Sequence, residues 1–97
     1  MSDLRPQHGT RFLLELVTDS GATADYRVVI ATPDDEHEST ATLSDDGEVR
    51  LVPTGGPSRL DGALTMFARL VARGAAKRRV DGLQAWPARV LRWRPPG

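Results

Sequence analysis

Alternation of apolar and polar side chains between residues 11 and 52 is the feature that most limits what this chain can fold into. A period of two predicts β-strands that bury one face. The inward apolar positions form four groups, which are Phe12, Leu14 and Leu16; Tyr26, Val28 and Ile30; Ala41 and Leu43; and Val49 and Leu51. Short turn segments at 18–21, 33–35 and 45–47 separate them, so the sequence predicts a four-stranded antiparallel meander that ends at Pro53.

The period changes after residue 57, where apolar residues recur at helical spacing. The residues that form one apolar stripe are Leu60, Leu64, Phe67 and Val71. Ser58 and Asp61 have the spacing of a capping box, so we expect the helix to begin at Ser58. The pattern allows two ends for this helix, at Gly74 or near Arg79.

Residues 88–94 alternate again and predict a fifth strand. The expected fold class is therefore α+β: a four-stranded antiparallel meander, one amphipathic helix packed on the sheet, and a C-terminal fifth strand. Residues 1–9 show no periodicity and are expected to form a flexible N-terminal arm. With 97 residues in all, the chain is expected to hold a single α+β domain over 10–97.

Four apolar side chains fall on the outward side of their predicted strands. They are Leu13, Val17, Val29 and Val52. A curled sheet, the C-terminal segment around Trp93 or a second copy of the chain could cover them. Because exposed apolar patches usually mark interaction sites, we interpret this set as a candidate homodimer interface.

Charge is divided unevenly along the chain although the formal net charge is zero. Residues 1–57 hold four basic and eleven acidic side chains, and residues 58–97 hold nine basic and two acidic ones. Arginine near aromatic residues, here Trp86 and Trp93, is the combination that binds single-stranded nucleic acid. The candidate nucleic-acid residues are Arg69, Arg73, Lys77, Arg78, Arg79, Arg89, Arg92 and Arg94.

Catalytic and metal chemistry find little support in the sequence. Cysteine is absent, which excludes disulfides and thiolate nucleophiles. His8 lies in the predicted arm, and His37 lies in an acidic turn with no partner pattern around it. We therefore expect no enzyme activity, no cofactor and no metal site.

No membrane-spanning segment or signal peptide is apparent, so a cytoplasmic protein is expected. The arginine-rich, lysine-poor composition suggests a bacterial origin.

Two functions remain open at this stage. The leading expectation is a small non-enzymatic protein-association domain, most simply a homodimer built on the outward apolar residues. The alternative is a nucleic-acid-binding module that uses the basic helix face and the C-terminal segment rich in arginine and tryptophan. Its partner would be single-stranded nucleic acid.

Overall fold

The computed structural model describes residues 5–96, so residues 1–4 of the predicted arm and Gly97 lie outside the described residues. The elements follow in the order β1 (Thr10–Asp19), β2 (Thr23–Ala31), β3 (Glu36–Ser44), β4 (Val49–Leu51), α1 (Ser58–Val80) and β5 (Arg89–Arg94). The strands form one antiparallel sheet in the order β4-β3-β2-β1-β5, with α1 packed on one face. The predicted α+β fold, its meander and its fifth strand are confirmed.

The hydrophobic core lies between α1 and the inner face of the sheet. Tyr26, Val28 and Ile30 of β2 are completely buried there. The rings of Phe12 and Phe67 meet at a centroid distance of 5.1 Å and join β1 to the helix. The small buried residues of α1 are Ala63, Ala68, Ala72 and Ala75. Since alanine projects little from the helix, these positions let α1 lie close to the strands.

The helix begins at Ser58 as predicted, but the predicted capping box was wrong. No side chain caps the first turn, and Pro57 occupies the N-cap position. The Asp61 carboxylate instead accepts hydrogen bonds from the Thr54 hydroxyl at 2.6 Å and from the Thr54 N–H at 3.3 Å. These two hydrogen bonds attach the loop before α1 to the first turn of the helix.

The helix continues through Gly74 to Val80, so the longer of the two predicted ends is close to the observed one. Glycine at position 74 leaves room for the Arg78 guanidinium, which would meet an added Cβ. The chain reverses at Gly82, whose φ of +77° suits glycine. The Leu83 N–H then donates to the Arg78 carbonyl at 2.8 Å, which closes the helix end.

A buried tryptophan fixes the connection from α1 to β5. Trp86 is completely buried, and its indole N–H donates to the Gly21 carbonyl at 2.8 Å. The Tyr26 hydroxyl donates to the Pro87 carbonyl at 2.7 Å, and burial raises the pKa of Tyr26 to about 12. These two bonds hold the segment before β5 against β2 and the β1–β2 turn, and β5 then pairs with β1.

Candidate interaction surface

The four outward apolar side chains divide into two pairs. Leu13 and Val29 face each other across β1 and β2 and are buried within the single chain. Val17 and Val52 are 66% and 56% exposed. The register of β1 shifts at Val17, while Val52 follows β4 at the far edge of the sheet. Because β2 and β3 lie between them, the two valines form no continuous apolar patch in one copy.

The solvent face of α1 carries the three cations that the helical spacing predicts. Arg69, Arg73 and Lys77 are all exposed. The Lys77 ammonium lies 2.8 Å from the Asp81 carboxylate, one turn further along. The side chains of Arg69 and Arg73 make no hydrogen bond or ion pair with any residue of the range 5–96.

Arg78 and Arg79 bind the protein's own backbone. The Arg78 guanidinium donates to the carbonyls of Val71 and Ala85 and is only partly exposed. The Arg79 guanidinium donates to the Gly21 carbonyl at 2.9 Å. Both side chains are therefore engaged in hydrogen bonds within the fold. Neither is free, as Arg69 and Arg73 are, to contact a ligand.

Strand β5 carries the other three predicted arginines and the exposed tryptophan. Arg89 lies on the outer face of the sheet, whereas Arg92 and Arg94 have the parity of the core-facing residue Val90. Trp93 is 48% exposed, and its indole N–H donates to the His8 carbonyl at 3.0 Å. The buried Trp86 is thus unavailable for stacking on a ligand, while Trp93 remains half exposed.

Among residues 5–96, β5 is an edge strand with one unpaired side. The Leu16 N–H donates to the Ala88 carbonyl at 2.9 Å, and the same register continues into β5. Hydrogen-bonded pairs alternate along an antiparallel ladder. Arg89, Leu91 and Trp93 therefore direct their N–H and carbonyl groups away from β1. This edge offers main-chain donors and acceptors at two-residue spacing.

An apolar groove runs along this edge, between β5 and α1. The helix comes closest to β3 and β4, on the opposite side of the sheet, and so leaves the inner side of β5 partly uncovered. Two adjoining cavities of about 290 and 160 Å³ form the groove and share Phe67. The groove residues are Ala63, Met66, Phe67, Leu70, Val71, Arg78, Pro87, Val90, Arg92, Trp93, Arg94 and Pro95. Met66 and Leu70, 65% and 63% exposed, supply apolar surface at its rim.

Sequence reasoning missed this α1–β5 groove and named neither Met66 nor Leu70. Met66 and Leu70 lie one turn apart beside the core stripe of the helix. Helical spacing alone does not tell which neighbour such residues contact. A signal was available in β5 itself. A fifth strand added to a four-stranded meander lies at the edge of the sheet and has only one neighbour to pair with.

Acidic and basic side chains meet on the outer face of the sheet, and β5 adds further basic residues at its edge. On the outer face, Arg27 lies between Glu38 at 2.5 Å and Glu15 at 3.4 Å. The hydrogen bond from Arg27 holds the pKa of Glu38 below its usual range and the same pair raises the pKa of Arg27. No acidic residue follows Asp81 in the chain, so β5 lies in a wholly basic segment.

The two histidines lie on different elements and have different neighbours. The His8 ring meets Trp93 edge to face at 5.5 Å, whereas His37 packs beside Gly56. Within residues 5–96, no group of three or more histidine, aspartate or glutamate side chains is arranged to hold a metal ion. Over the same range, no helix has the length and apolar character needed to span a bilayer.

Comparison with known proteins gives no match to a protein-family model, a curated protein or a solved structure.

Proposed function

We propose that this chain is a non-enzymatic protein-association domain that binds an acidic, extended segment of a partner protein along β5. One observation carries the proposal: the free edge of β5 lies beside a groove that is both apolar and basic. Strand addition to a sheet edge is a common mode of peptide recognition, in which main-chain hydrogen bonds supply affinity and side-chain pockets supply specificity.

The main-chain groups of β5 support an extended occupant. Arg89, Leu91 and Trp93 present their outward N–H and carbonyl groups along one line, at the spacing of a neighbouring antiparallel strand. The opposite edge strand, β4, has only three residues and ends before Pro53. The longer free edge of β5 is therefore the better template for a strand of a partner.

The side chains of β5 support an acidic occupant. Three of its six residues are arginine. Two copies of β5 paired antiparallel through their outward groups, with Leu91 opposite Leu91, would make Arg92 of the two copies diagonal neighbours on one face. Like charges at neighbouring cross-strand positions destabilise a strand pair, whereas opposite charges stabilise it. Charge complementarity thus disfavours self-pairing at this edge and favours glutamate or aspartate in the added strand.

The groove supports apolar residues in alternate positions of the same segment. Side chains of a strand alternate between the two faces of its sheet. One set from the added strand would lie over Met66, Phe67 and Leu70 in the α1–β5 groove. The other set would lie beside Arg89 and Leu91 on the outer face. A segment that alternates acidic and apolar residues satisfies both surroundings.

Single-stranded nucleic acid is the second candidate ligand, and one observation favours it. The half-exposed Trp93 shares the outer face of β5 with Arg89, which puts a stacking surface and a phosphate-binding cation on one face. This alternative does not use the outward main-chain groups of β5. The homodimer expected from the outward apolar residues also stays a prediction, and within the described residues its exposed members are Val17 and Val52.

Fluorescence anisotropy of labelled peptides tests the proposal. We would titrate the protein into a peptide of about eight alternating glutamate and valine residues, at about 50 and 200 mM salt. We expect saturable binding that weakens as salt rises. A lysine–valine peptide of the same length should not bind. An N-methylated glutamate–valine peptide should also lose binding, because it keeps the charge and removes main-chain donors.

Variants of β5 locate the binding. Replacement of Leu91 by proline removes one outward N–H without touching the ladder to β1, and Leu91→Ala is the matched control. We expect Leu91→Pro to bind at least about tenfold more weakly than Leu91→Ala. Equal binding of the N-methylated peptide would contradict strand addition. Binding of a labelled single-stranded oligonucleotide in place of the peptide would favour the second candidate.

A further inference from the structure

A second cavity adjoins the α1–β5 groove at Arg94, and it carries an inference that does not rest on the proposed function. This terminal cavity has a volume of about 510 Å³, within the range of small-molecule sites. It forms where the segment before β1, the turn after β2, the first turn of α1 and the end of β5 meet. Its polar lining includes His8, Thr10, Thr32, Arg59 and Arg94.

The charge of the cavity wall is one-sided. Arg59 and Arg94 come from α1 and β5, and no aspartate or glutamate lines the cavity. Neither arginine side chain makes a hydrogen bond or an ion pair with any residue in the described range 5–96. Arginine binds phosphate through charge-assisted, often bidentate hydrogen bonds. Two guanidinium groups with no carboxylate beside them therefore balance the charge of a phosphate dianion.

The wall beside Arg94 is tightly built. The Trp93 indole N–H holds the His8 carbonyl at 3.0 Å. Gly9 has a φ of +76°, and a Cβ there would collide with the Arg94 carbonyl oxygen. The backbone around Gly9 thus lies directly against the end of β5. This contact fixes one side of the cavity without a ligand.

We infer that the terminal cavity binds a small organic phosphate, whose phosphate group Arg59 and Arg94 hold. The rest of the cavity has room for an organic body, and its apolar lining comes from Leu60, Pro33 and Pro95. These residues offer flat or branched apolar surface to such a body. Inorganic phosphate should bind more weakly, because it leaves that surface unused.

Nuclear magnetic resonance titration of the labelled protein tests this inference. The probes are adenosine 5′-monophosphate, adenosine and inorganic phosphate. We expect the monophosphate to shift the backbone amides of Thr10, Thr32 and Leu60 and to bind more tightly than inorganic phosphate, and adenosine to leave these amides unmoved. Absence of shifts at millimolar monophosphate would overturn the inference, as would equal shifts with adenosine.

Two variants and one control assign the arginines. Arg59→Gln and Arg94→Gln should each weaken binding of the monophosphate by about tenfold. Arg69→Gln removes another exposed, unpaired cation of α1 outside the cavity and should leave the affinity unchanged. An equal loss in all three variants would show nonspecific attraction and would overturn the assigned site. Because Arg59 lies outside the α1–β5 groove, its variant should still bind the acidic peptide.

Discussion

At the residue scale, chemically identical side chains take opposite roles through their surroundings. Trp86 is buried and hydrogen-bonded, whereas Trp93 is half exposed seven residues later. The sequence offered both as aromatic residues near arginines and could not distinguish them. Burial of Trp86 depends on a distant acceptor, the Gly21 carbonyl, that no local pattern reveals. In the same way, Arg78 differs from Arg69 because backbone carbonyls lie within its reach.

Tyr26 offers a direct test at this scale because it is the only tyrosine of the chain. Its pKa is raised from 10.0 to about 12, chiefly by burial. We expect ultraviolet absorbance of the folded protein to show tyrosinate forming with a midpoint near the raised value. A midpoint near the ordinary value, with the protein still folded by circular dichroism, would contradict the burial of this hydroxyl.

The same shift predicts how stability depends on alkaline pH. The unfolded chain loses the tyrosine proton first, so the stabilisation is complete below pH 10.0 and is lost as pH rises toward 12. The free energy of unfolding should therefore fall by about 2 kcal/mol over this interval. Denaturant unfolding of the native chain and of Tyr26→Phe measures the effect, which the variant should lack.

At the element scale, periodicity predicted the strands and the helix. It did not predict the interactions at the ends of the helix, because these depend on contacts with residues elsewhere in the chain. The alternation from Phe12 onward required a buried face whatever the partner strand, so the meander was predictable. The start of α1 was also correct, but its expected cap was wrong because Asp61 binds Thr54. The groove was not predictable, since it depends on where α1 lies across the sheet.

Two glycines of the helical region should respond in opposite ways to alanine. Gly62 lies within α1 with open space around its Cβ position, so Gly62→Ala should stabilise the fold by about 0.5–1 kcal/mol. Gly82 has a φ of +77°, so Gly82→Ala should destabilise it by about 1–2 kcal/mol. Denaturant unfolding compares the two variants. Equal effects of the same sign would contradict the helix end at Val80.

At the scale of the whole molecule, the sheet carries ion-paired charge on its outer face and basic charge beside apolar surface along its β5 edge. The ion pairs of Arg27 lie on the outer face, while the basic edge and its groove lie along β5. The uneven charge of the two chain halves was visible in the sequence. The position of the basic half at a free edge required the fold, because β5 reaches that edge by pairing with β1.

The expected homodimer makes a prediction of its own. A two-fold contact pairs residue i of one copy with residue j of the other, and the reverse pair follows by symmetry. In such a dimer, Val17 of one copy would contact Val52 of the other. Sedimentation should show a dimer that Val17→Asp dissociates and that Val52→Lys restores in the same chain. A wild-type monomer would refute the homodimer and leave the β5 proposal intact.

Hydrogen exchange of the β5 amides tests strand addition most directly. In the free protein, the outward N–H groups of Arg89, Leu91 and Trp93 should exchange rapidly. A saturating glutamate–valine peptide should slow all three, because they become donors in a new ladder, and should leave the outward amide of Leu51 at the β4 edge unchanged. If the peptide binds while these three amides exchange as before, the added strand does not lie on β5 and the account is wrong.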